Sequence, residues 1–224
     1  MLISRTFLFA FFQVIIALLL SSWAESTRYW MLTATLTNVI SIIFLIILFR
    51  KEKINYLSIF HFIKDSWKKD LLIFSGLAII SLLFVMIPPL LLESGFLGDS
   101  GYFQEILFQP ISPYLMYFLL FAFPITIGFA ELATYFGYIM PRLKKHLPSK
   151  WLVVLLPVFF LSIQHCTLPL VFDAKFILFR GLTYLPFALL LGIVLYKRPS
   201  LLPHFAILHV ALDGSAALMF LLNS

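Results

Sequence analysis

The sequence predicts an all-α bundle of about seven transmembrane helices with a cytoplasmic N-terminus. Composition points there first. Of 224 residues, 62% are hydrophobic and 12% charged, and the mean hydropathy is +1.04. A soluble domain has no core large enough to hide that much apolar surface. Segmentation points there next: apolar runs at approximately 6–24, 31–49, 71–92, 113–140, 151–166, 176–196 and 203–222 are long enough, or nearly so, to cross a bilayer. The third observation is the placement of the basic residues between alternate runs.

The first run, Thr6 to Ala24, follows Arg5 and is too long for a typical signal-peptide core, so it reads as a span. After the second run comes "KEKINYLSIFHFIKDSWKKD". Ile54, Leu57, Phe60, Ile63 and Trp67 recur there at helical spacing with lysines opposite, which predicts an interfacial helix near 54–69. His61 on it reads as a surface histidine. The loop at 93–109 carries Glu93, Asp99 and Glu105 and no basic residue, as an outer loop would. The fourth run exceeds the bilayer and is expected to tilt, to kink near Pro124 or to extend past the membrane. The fifth is short. Residues 1–109 form an N-terminal group of helices, and 110–224 form the bundle that holds most polar residues at depth.

With the N-terminus inside, the inner side holds Arg5, six basic residues from Arg50 to Lys69, four from Arg142 to Lys150, and Lys197 with Arg198. That is 13 of the 16 Lys and Arg. Such one-sidedness fixes the topology and makes the lipid bilayer, rather than nucleic acid, the source of the +6 net charge pattern. The compact chain reads as a prokaryotic plasma-membrane protein. Its single cysteine, Cys166, excludes an internal disulfide and a cysteine-based zinc site.

Ionisable residues inside spans are rare and mark functional sites by default. Counting about 1.5 Å per residue, Glu131 lies about 15 Å in from Pro141, His165 about 21 Å from Trp151, and His209 and Asp213 about 12 and 18 Å from Leu201. Three helices thus bring four polar groups to a similar depth. His209 and Asp213, four apart, share a helix face. Two carboxylates and two imidazoles in a dry cavity suit a divalent metal or a hydrolytic water. Each residue also has a structural alternative: Glu131 as interhelical glue with Thr134 or Tyr135, His204 as interfacial, Cys166 as a small core residue. Ser162 and Ser215 lack a nucleophile motif. No basic residue lies near Glu131 in its own helix.

The order "ELATYFGYIMPRL" at 131–143, "LSIQH" ending at His165 and "HVALD" at 209–213 resembles the motifs of the CPBP intramembrane protease family. That family includes the type II CAAX prenyl endopeptidases, the lysostaphin-resistance-protein-A-like proteins and the bacterial Abi proteins. The likeness covers roughly 110–222. Glu131, Gly137, Tyr138, Arg142 and Leu143 follow the first motif. Leu132 stands where the family has a second Glu, and Phe136 where it has an Arg. A buried ion pair exchanged as a unit for packed apolar residues is often neutral, so Leu132 with Phe136 reads as a repacked support.

The resemblance implies an intramembrane endopeptidase acting on a membrane-associated or prenylated-type peptide, with Glu131 as general base. His165 and His209 would hold a divalent metal or position the water directly. Asp213 stands where an Asn would donate to an oxyanion. An ionised Asp cannot, which favours Asp213 as a ligand or as an orienter of His209, and the metal as zinc. Substrate would approach from the side of the basic turns at 142–150 and 197–198. The competing expectation is a non-catalytic protein on the same scaffold, a bacteriocin-immunity or regulatory factor. A proton or ion transporter is less supported, because there is no inverted repeat.

Overall fold

The computed structural model describes residues 1–96 and 101–223, and every regular element among them is helical. They are α1 (Ser4–Leu20), α2 (Trp23–Ser26), α3 (Trp30–Lys51), α4 (Trp67–Leu91), α5 (Tyr102–Leu107), α6 (Pro113–Leu132), α7 (Met140–His146), α8 (Lys150–Ile163), α9 (Ala174–Lys197) and α10 (Leu202–Asn223). Six helical stretches are long and apolar enough to cross a membrane, and Ser4–Leu20 is a shorter apolar helix of 17 residues. The chain is a polytopic, integral membrane helix bundle.

Local sequence sets the helix ends. Ser149 and Asp173 cap α8 and α9 by accepting hydrogen bonds from the Leu152 and Phe176 backbone N–H groups. Arg50, Lys51, Lys144, Lys145 and Lys197 lie in last turns, where they complement the helix dipole. Glycine allows two close approaches. A Cβ at Gly128 on α6 would meet Val210 Cγ2 of α10 at 2.3 Å, and one at Gly192 on α9 would meet Val158 Cγ2 of α8 at 2.4 Å. One apolar cluster joins Phe9, Met31 and Ala34 to Met116, Leu119 and Phe123, so a core spans the boundary drawn at residue 109.

Two expectations, the 54–69 helix and the flanking place of Arg5, are corrected, and two others gain detail. The segment 54–69 is not one amphipathic helix: a 3₁₀ turn at Tyr56–Phe60 is followed by irregular chain, and α4 begins at Trp67. Asn55 caps the turn through the Leu57 N–H, and the Tyr56 hydroxyl donates to the Phe129 carbonyl. That anchor pulls the chain onto α6 instead of along the interface. His61 is exposed, as expected. The acidic loop contains a short helix, α5, pinned by Phe103, whose ring stacks on Phe179 at 4.1 Å; Asp99 lies outside the described residues. The fourth span is over-long as expected, a helical stretch of 34 residues at Pro113–His146; it runs through Pro124 as α-helix and turns π-helical at Ala133–Ile139, just after Glu131.

The second correction concerns Arg5. Thr167 Oγ1 donates to the Thr6 carbonyl, and Gln13 bonds both backbone groups of Leu170. α1 therefore runs past the end of α8 and starts at the level of Gln164. Arg5 is fully buried there rather than at a basic flank.

Candidate functional site

Glu131 lies in the last turn of α6 and is 1% exposed. α8 stops at Ile163 and tightens into a 3₁₀ turn, Gln164–Thr167, which turns two consecutive side chains inward. Gln164 Nε2 donates to Glu131 Oε2 at 2.5 Å. His165 Nδ1 lies 2.9 Å from the Leu161 carbonyl, and its Nε2 is 4.0 Å from Glu131 Oε2. From α10, His209 Nε2 reaches Glu131 Oε1 at 3.2 Å and Asp213 Oδ2 at 3.0 Å. The four residues named from the sequence meet in one place.

Asp213 Oδ2 and His209 Nδ1 are buried atoms without a hydrogen bond. The Asp213–His209 contact is thus one of charge and proximity, not of aligned donor and acceptor.

The sequence missed the basic partner of Glu131. Arg5 Nη2 stands 3.6 Å from Glu131 Oε2. The same guanidinium donates to Gln164 Oε1 (2.9 Å), Asn38 Oδ1 (2.9 Å) and Ser41 Oγ (3.2 Å). Tyr135 does not touch Glu131; its hydroxyl donates to Gln164 Oε1 at 3.1 Å, and Thr134 Oγ1 returns to the Ala130 carbonyl. Asn38, Ser41 and Gln164 are uncharged but polar at span depth. The reasoning that selected Glu131 would have found them had it been extended beyond ionisable groups.

Leu132 and Phe136 are both buried in the apolar cluster that includes Val154, Val158 and Leu191, as the apolar-support reading requires. Ser162 and Ser215 donate to the backbone carbonyls of Gly181 and Ala211, so neither pairs with a histidine. Cys166 points at the Ile177 carbonyl. His204 is buried between the Phe62 and Phe74 rings, with the irregular 61–66 segment folded over it.

Glu131, His165, His209 and Asp213 line a cavity of ≈ 160 Å³ with Arg180, Tyr184 and apolar walls from Trp30, Phe123, Ile127 and Phe187. Trp30 opens α3, and Arg180 lies early in α9. The lining also takes Phe187, Ala188 and Leu191 from the middle of α9 and Leu212 from the middle of α10.

The donor set of two imidazoles and two carboxylates has the chemistry of a zinc site. Among the described residues no three His, Cys, Asp or Glu are grouped to hold a metal ion. Glu131 Oε2 accepts from Gln164, while its Oε1 faces His209 Nε2. No family model, no curated protein and no solved structure matches the chain.

Proposed function

We propose that the chain is an intramembrane hydrolase in which Glu131 and His165 hold and deprotonate a water. One observation carries this reading. If His165 Nδ1–H donates to the Leu161 carbonyl, the tautomer assigned from that contact, Nε2 presents a lone pair 4.0 Å from Glu131 Oε2. Two acceptors at that separation are bridged by a water donating to both. The water oxygen attacks a carbonyl carbon while Glu131 takes its proton. The proton then passes to the leaving nitrogen, the C–N bond breaks, and a carboxylic acid and an amine result.

Arg5 and Gln164 fix Glu131 Oε2, and Asp213 steadies His209 against Oε1. The likeness of the three motifs to the CPBP family supports a peptide bond in a membrane-associated or prenylated-type substrate. A resident metal stays part of the proposal only as an arm of the test. A second reading, a non-catalytic immunity or regulatory protein, has its own support: Glu131 comes with a counter-charge, so its burial requires no reaction.

The test is peptide cleavage by the purified protein in lipid nanodiscs, read by mass spectrometry, with Glu131→Gln, His165→Ala and metal content measured in parallel. Cleavage that both variants abolish, while their circular-dichroism spectra stay those of the folded helical protein, supports the hydrolase. A cellular phenotype that survives both variants would favour the second reading. Chelator-sensitive cleavage with stoichiometric metal would assign a metal to the site.

A further inference from the structure

Arg180 is a buried cation that the proposed chemistry does not use. It is 3% exposed and lines the cavity. Its Nε donates to the His165 carbonyl at 3.3 Å, Nη1 to the Tyr184 hydroxyl at 2.9 Å and Nη2 to the Leu168 carbonyl at 2.5 Å. All three acceptors are neutral. Among the described residues Arg180 makes no ion pair, unlike Arg5, which has Glu131. A guanidinium carries five N–H groups, so two remain beyond these bonds. The Tyr184 hydroxyl accepts from Arg180, which leaves its own proton to donate.

Tyr184 is fixed, because its ring stacks on His165 at 3.8 Å and 17°. A buried, unpaired cation is costly unless an anion joins it. A planar fork with an adjacent hydroxyl matches a carboxylate held by two or three charge-assisted hydrogen bonds. We propose that Arg180 and Tyr184 form a carboxylate-binding subsite in the cavity beside His165. The binding itself is independent of the hydrolase reading; its use to seat a substrate beside the Glu131–His165 pair rests on that reading. The carboxylate comes from a free peptide terminus or from an acidic side chain.

The experiment titrates the full chain in detergent micelles with N-acetylleucine and with N-acetylleucinamide, reading affinity by ligand-observed NMR. The acid is expected to bind at least about tenfold tighter, the scale of a lost charge-assisted contact. Arg180→Gln removes that ratio and Tyr184→Phe reduces it. Equal affinities, no binding of the acid, or a preference that survives Arg180→Gln overturns the subsite. If Arg180→Gln fails to fold, Tyr184→Phe carries the test: a ratio it leaves unchanged overturns the subsite.

A kinetic arm uses N-acetylated apolar peptides with a free terminus, an amidated terminus, or an amidated terminus plus an internal glutamate. Preference for the first assigns the terminal carboxylate, and preference for the third the side chain. Acid preference in binding without any cleavage would leave the subsite standing and remove the hydrolase. Cleavage indifferent to carboxylates, with no binding preference, would do the reverse.

Discussion

Replacing Arg5 by Met breaks a pair that is almost wholly dry. The two side chains are 0% and 2% exposed and 3.6 Å apart, so screening by solvent does not weaken them. At an effective dielectric near 20 the attraction at this distance is about 4–5 kcal/mol, and removing one member of a buried pair typically costs about 3–5 kcal/mol. Asn38 Oδ1 also loses its donor, for about 1 kcal/mol more, whereas Gln164 Oε1 keeps the Tyr135 hydroxyl. Arg5→Met should therefore destabilise by about 4–5 kcal/mol, and Glu131→Leu by a similar amount, since it strands the guanidinium. The double variant strands neither charge and should be less destabilised than either single one. A double-mutant cycle of unfolding in SDS–detergent mixed micelles, followed by circular dichroism, should give a coupling of about 3 kcal/mol or more. Single-variant costs that simply add, with coupling below about 0.5 kcal/mol, would refute the pairing and return Glu131 to the state of an unpartnered acid.

Three further outcomes follow from the packing and the surface. Phe136→Arg places a guanidinium in an apolar cluster with Leu132 beside it and should cost about 3 kcal/mol or more. Adding Leu132→Glu should recover much of that in the same unfolding assay. Gly192→Ala drives a methyl group to 2.4 Å from Val158 Cγ2 and should cost about 1–3 kcal/mol by forcing α8 and α9 apart. Outside the spans, a hydrogen bond from Arg142 holds the Glu52 carboxyl below its ordinary value of 4.5. The folded form is the one with the lowered value, so this pair's contribution is complete above 4.5 and is lost as pH falls below it. Melting temperature against pH should show an acid-side decline that is shallower in Glu52→Gln.

The helices were legible because each rests on a contiguous apolar run that the bilayer demands. The meeting of Glu131, His165, His209 and Asp213 was legible for a related reason: helix rise converts sequence distance into depth, and residues four apart share a face. The 54–69 segment was misread because periodicity describes a face without describing what holds it. Tyr56, one hydroxyl on the Phe129 carbonyl, outweighs the lysine-flanked pattern.

Arg5 is the more instructive failure. A cation just before the first apolar run is what topology rules count as a flank, so its placement followed from a rule about populations of loops. What decides the individual case is energetic. Glu131 at 1% exposure needs compensation, and with Phe136 in the helix-internal position no cation on α6 supplies it. The nearest available guanidinium is carried by a helix that starts at the required depth, and α1 does so because Gln13 and Thr167 tie it past the end of α8. Leu132 and Phe136 then follow as consequences: once Arg5 neutralises the acid from across the bundle, a second acid–base pair on α6 would be redundant charge in a low-dielectric core. The buried carboxylate predicted that a cation exists somewhere in the chain, and the apolar residues at 132 and 136 said only that it was not there.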